Sequence, residues 1–75
     1  MKKPLAAFGQ NVRGERLRLR ISQEELAHRA DLDRSYIGQV ERGETNISLL
    51  NLLRIAKALE VGPERLVRAL ERGKQ

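Results

Sequence analysis

Along this chain the apolar residues recur mostly at three- and four-residue spacing, the period of a helix. That rhythm predicts helices near residues 5–19, 23–30, 34–42, 49–59 and 63–71, and with them an all-α fold. Gly43 and the stretch to Ile47 form the longest predicted loop, and Lys74 with Gln75 reads as a frayed end.

The second and third segments carry the most information. Ser22 is a good N-cap, and Glu25 stands three residues later, the pattern of a capping box. Leu26, Ala27 and Ala30 supply a buried face. Gln23 falls in the first turn, where unpaired N–H groups and the positive dipole end suit a phosphate. Ala30, Asp31 and Leu32 form the turn, with Asp31 tolerating a left-handed backbone and Leu32 facing inward as an apolar plug. Asp33 then caps the next helix, whose anchors are Ile37 and Val40. Arg34, Ser35, Gly38 and Gln39 are left uncovered, and Gly38 suggests close approach by a nucleic acid. Two short helices across a tight turn, over residues 22–42, with a polar outer face on the second, make the shape that enters a major groove. Arginine pairs bidentately with guanine and glutamine with adenine, so the exposed side chains are of the right types.

The chain resembles the Cro/repressor (Xre-type) helix-turn-helix family of bacterial and phage regulators. The resemblance runs from about Phe8 to Leu66. It is carried by Arg16, by Ser-Gln-Glu-Glu-Leu-Ala at 22–27, by Tyr-Ile-Gly-Gln-Val-Glu-Arg-Gly at 36–43 and by Leu-Leu-Arg-Ile-Ala-Lys-Ala-Leu at 52–59. Asp-Arg-Ser-Tyr-Ile at 33–37 and Glu-Arg-Gly-Glu-Thr-Asn-Ile-Ser at 41–48 look most like controller proteins of restriction–modification systems. The resemblance implies a five-helix lambda-repressor-like domain spanning residues 1–75. It also implies roles: Arg34, Ser35 and Gln39 read base edges, and Gln23, Tyr36, Thr45 and Asn46 hold phosphates. Arg16 and Glu41 would form a structural ion pair between the first and third helices. The chain departs from the family where Arg20 replaces a helix-ending glycine, where Asp31 replaces the turn glycine, and where Gly62-Pro63 replaces a serine before the last helix.

Composition narrows the function classes. The net charge is +5, and residues 1–21 hold all of the excess, with six basic side chains against Glu15 alone. In this fold that segment would point toward phosphates. Cysteine is absent, which fits a reducing, cytoplasmic setting and leaves no cysteine metal site. His28 is the only histidine, no nucleophile–base pair is visible, and no phosphate-binding glycine signature appears. An enzyme, a bound metal and a cofactor are therefore not expected. Neither is a membrane partner, because no apolar run is long enough to span and no aromatic-anchored stripe is present.

The fourth segment shows an excess. At about 100° per residue, Leu49, Leu50, Leu52, Leu53, Ile55, Ala56 and Leu59 cover about 220° of arc, against the ~100° one core needs. Leu66, Val67 and Leu70 add to it. A two-fold dimer over residues 49–71, with Leu50, Leu53, Leu66, Val67 and Leu70 at its interface, accounts for the surplus. The expected function is a homodimeric transcription regulator on a palindromic operator of double-stranded DNA, with RNA polymerase as the machinery it blocks or recruits. A restriction–modification controller leads; a phage-type or chromosomal repressor and an antitoxin of a toxin–antitoxin pair are the alternatives.

Overall fold

The computed structural model describes residues 2–70; the predicted frayed end at Lys74 and Gln75 and the last residue of the predicted fifth helix lie outside them. Four α-helices follow in order: α1 (Lys2–Arg18), α2 (Gln23–Ala30), α3 (Arg34–Glu41) and α4 (Leu49–Ala58). The predicted fifth helix is a correction. Only a short 3₁₀ turn forms, at Pro63–Arg65, and the chain then continues in irregular turns. Two observations explain this. The Asn11 side-chain amide on α1 donates to the carbonyls of Leu66 and Arg68, 2.9 Å in each case, so both acceptors are drawn out of a helical ladder. Ala69 then takes a left-handed φ of 66°, which breaks the helical path.

The helix starts follow the sequence in part. Ser22 Oγ accepts from the Glu25 backbone N–H at 3.0 Å, but the Glu25 carboxylate turns to Arg29 at 2.9 Å. Only half of the predicted capping box is made. Asp33 occupies the N-cap of α3 without a side-chain cap hydrogen bond. Ser48, which the sequence reading passed over, caps α4 by accepting from the Asn51 N–H at 3.1 Å.

The helix exits share one geometry. After α1, α2, α3 and α4 the residue in the left-handed conformation is Arg20, Asp31, Gly43 and Glu60 respectively. The amide after each donates back to a carbonyl five residues upstream: Ile21 to Arg16, Leu32 to Ala27, Glu44 to Gln39 and Val61 to Ala56. This is the Schellman closure, which satisfies carbonyls that a helix end leaves bare. Ile21, Leu32 and Val61 are apolar and pack against the core, as such closures favour. Glu44 stands at the same place after α3 and is exposed. The two departures noted at Arg20 and Asp31 thus preserve the turn that glycine would make.

These turns bring the apolar faces together. α1 packs on α3, α2 packs on α3 and α4, and α4 packs on the 3₁₀ turn. The core is aliphatic apart from Phe8: Val12 from α1, Leu26 and Ala30 from α2, Ile37 and Val40 from α3, Ile55 and Leu59 from the α4 region. Leu66 is wholly buried in this same core, which removes it from the predicted dimer face. The reason is the Asn11 tether, which pulls the segment onto α1.

One buried carboxylate was not anticipated. Glu15 is 6% exposed and accepts from Arg18 at 2.8 Å and from Arg65 at 3.1 Å. Arg18 first, then Arg65, overcomes the opposing effect of burial and holds its carboxyl below the ordinary carboxylate value. Its stabilising contribution is therefore complete above the unfolded value and is lost as pH falls through the lowered folded value.

Candidate nucleic-acid interface

The α2–turn–α3 unit is fixed from behind by a polar lock. Arg16 on α1 donates to both Glu41 oxygens, through Nε at 2.7 Å and Nη2 at 3.0 Å. Its remaining Nη1 donates to the Ile21 carbonyl at 2.9 Å. Gln23 Nε2 donates to the Glu41 Oε1 at 3.0 Å, which ties the start of α2 to the end of α3. Arg16 and Glu41 are both buried, and no buried side-chain nitrogen or oxygen among the described residues lacks a partner. The predicted ion pair is present in bidentate form, the geometry that sets an angle as well as a distance.

The lock leaves one face of α3 open. Arg34, Ser35 and Gln39 are exposed. Arg34 has no carboxylate partner among the described residues. Its guanidinium is free to offer a planar pair of donors, and the side chain lies in the first turn of the helix. Gly38 differs from expectation: it is buried, and its open side is occupied within the chain. A Cβ there would lie 3.0 Å from Arg42 Nη1 and 3.7 Å from Gln23 Oε1.

The residues predicted to hold phosphates are arranged as follows. Gln23 commits one amide hydrogen to Glu41 and keeps a second donor. The Tyr36 hydroxyl accepts from Asn51 Nδ2 at 3.2 Å, which leaves its own O–H to donate. This contact from Asn51 to the Tyr36 hydroxyl is one that sequence reasoning missed. Thr45 spends its hydroxyl proton on the Asn46 carbonyl at 3.2 Å, whereas the Asn46 side chain is exposed. Arg16 and Arg18 on α1 are engaged in ion pairs, so among the described residues the arginines of segment 1–21 that face solvent without a carboxylate partner are Arg13 and Arg20.

The face predicted for self-association is exposed in part: Leu50, Leu53 and Val67 show 58%, 44% and 41% of their surface, and Leu49, outside the predicted set, shows 72%. Leu70 is half-buried against the core. Among the described residues no helix is long and apolar enough to cross a membrane, and no cluster of metal-ligating side chains occurs.

Comparison with known proteins gives this geometry its context. Residues 12–66 match the family described as helix-turn-helix. The control protein C.BamHI of Bacillus amyloliquefaciens is 51% identical over 61 residues, which is 80% of this chain and 75% of that relative. The restriction–modification controller protein C.AhdI from Aeromonas hydrophila has a similar structure, with a TM-score of 0.81 at 50% identity over 83% of this chain and 94% of that one. The controller protein C.Esp1396I, as a tetramer in complex with its natural 35 base-pair operator, matches with a TM-score of 0.81 at 31% identity, over 93% of this chain and 92% of that one. The open face of α3, the lock behind it and these likenesses converge: the chain belongs to the helix-turn-helix family of DNA-binding regulators, in the company of the restriction–modification controller proteins.

Proposed function

We propose that two copies of this chain bind a palindromic operator and control transcription of a restriction–modification locus by occupying it, blocking or recruiting RNA polymerase. The observation that carries the reading is the free, exposed Arg34 at the start of a helix held rigidly by Arg16, Glu41 and Gln23. The amino-terminal part of such a helix is the end that reaches base edges, and arginine there meets guanine O6 and N7. Ser35 and Gln39 extend the same reading surface. Gln23, Tyr36 and Asn46 place donors for the flanking phosphates.

Arg34→Ala tests the reading surface. It should cost about 1–3 kcal/mol on the operator and relax preference at one base pair in each half-site. Gln23→Ala should instead weaken all duplexes about equally, because a phosphate contact holds no base information. Half-sites should lie about 10 base pairs apart, or a multiple of that, since two symmetric helices must meet one face of the duplex. Titration of both variants against operator and scrambled duplex measures this. Equal loss of Arg34→Ala on both duplexes would make Arg34 a backbone contact.

Assembly has its own test. Leu50 and Leu53 lie on α4, beside the segment that carries Val67, and all three are exposed. Leu50→Lys should leave a folded, helical monomer and shift the sedimentation profile at micromolar concentration. A parent chain that sediments as a monomer at every concentration would remove the homodimer from the mechanism.

A further inference from the structure

On a helix turning about 100° per residue, Arg34, Gly38 and Arg42 fall near 0°, 40° and 80°, with Ser35 near 100° and Gln39 near 140°. Arg42 thus belongs to the same face as the reading residues, although it stands at the end of the helix. Its backbone is still helical, with φ −86° and ψ −1°. The side chain turns back along α3 and covers Gly38, where a Cβ would meet its Nη1 at 3.0 Å. Gln23, at the start of α2, borders the same spot. Glycine costs an α-helix roughly 1 kcal/mol relative to alanine. At position 38 what it provides is room for a guanidinium.

That guanidinium is restrained from one side. Arg42 Nε donates to Glu44 Oε2 at 3.0 Å, and both side chains are more than half exposed. Glu44 is held in place by the closure after α3, in which its amide donates to the Gln39 carbonyl at 2.9 Å. At the three other helix exits the corresponding residue is apolar and packed inward. Here it is an outward carboxylate on the face that would meet phosphates. The Arg42 guanidinium keeps the Glu44 carboxyl below its ordinary value, so the carboxylate remains charged wherever the chain would meet DNA.

We propose that Arg42 is a further DNA-contacting residue, stationed by Gly38 on the reading face of α3 and restrained by Glu44, which competes with the DNA for it. This rests on the reading that α3 enters the groove. The contact is to phosphate, because Arg42 lies at the helix end that leads out toward the backbone. Gly38 is a positioning residue for Arg42, and Glu44 sets how strongly the chain holds DNA of any sequence. An affinity moderated this way keeps a small basic protein from being titrated by non-operator DNA.

The test uses the full chain and two fluorescent duplexes, one selected from a random pool by the parent protein and one scrambled, titrated across a salt series. Arg42→Gln should weaken both duplexes about five- to tenfold and reduce the salt slope by about one. Glu44→Gln should tighten both and steepen the slope. Gly38→Ala should melt at or above the parent temperature, since alanine favours the helix, yet bind more weakly because Arg42 is displaced. In the Arg42→Gln background, Gly38→Ala should have no further effect on binding. If the parent binds and Arg42→Gln does not differ from it, Arg42 is a surface ion pair and this inference falls while the function stands. If Gly38→Ala weakens binding equally in both backgrounds, glycine serves the DNA directly and the stationing is overturned. A parent that binds neither the pool nor the scrambled duplex overturns the underlying reading as well.

Discussion

Glu41→Ala should remove a large share of the chain's folding stability. Glu41 accepts two hydrogen bonds from Arg16 and one from Gln23. Its removal strands the guanidinium of Arg16, a residue only 8% exposed. Breaking one partner out of a buried pair costs about 3–5 kcal/mol. A chain of this length has a total stability on the order of 4–10 kcal/mol. The loss is therefore a large fraction of the whole. Urea denaturation followed by helical circular dichroism measures it. Glu41→Gln keeps acceptors in place without the charge and should fall between the two. Replacing both partners, as Arg16→Met with Glu41→Leu, should recover much of the loss, because no charge is then left behind. A single variant that melts within a degree or two of the parent would mean that the pair contributes nothing to folding.

Gly9→Ala and Gly14→Ala should have opposite signs, although both lie in α1. Gly9 is buried where α1 meets the end of α3. A Cβ there would press on the carbonyl oxygens of Val40 and Glu41, and would lie 2.8 Å from the Glu41 carbonyl carbon. These are backbone atoms in a packed helix and cannot rotate away. The two helices must separate, which costs about 1–3 kcal/mol or more and strains the Arg16–Glu41 geometry along the same seam. A Cβ at Gly14 meets nothing within 4 Å. Alanine there should stabilise by about 0.8–1 kcal/mol through helix propensity alone. Thermal melts of the two variants provide each other's control. A Gly9→Ala chain at least as stable as the parent would show that α1 and α3 are not in backbone contact.

The two glycines also show where the sequence stops being informative. Both sit in a helical pattern and look alike from composition; only the packing of α3 distinguishes them. The α2–turn–α3 unit was legible because its signals are local. Ser22, the Asp31 turn and the Ile37–Val40 spacing each act over a few residues. The Arg16–Glu41 pair, distant in sequence, was reached through family resemblance rather than periodicity. The last helix was misread because its fate is decided by Asn11, more than fifty residues away. The same contact explains why Leu66 is core while neighbouring Val67 is exposed. The buried Glu15, with partners on its own helix and beyond α4, gave no local sign either. Arg42 was passed over because it lies at the helix boundary, where wheel arguments usually stop.

The left-handed exits at Arg20 and Glu60 bear on how long the protein lasts in a cell. A side chain with a Cβ in that conformation costs roughly 1–2 kcal/mol against glycine. Glycine at either turn should therefore make opening rarer, and proteolysis of a small protein follows the population of open molecules. Neither residue lies on α3. Turnover can therefore be adjusted at these two turns with the reading surface untouched, and the concentration at which a regulator switches its target depends on that lifetime as directly as on its affinity.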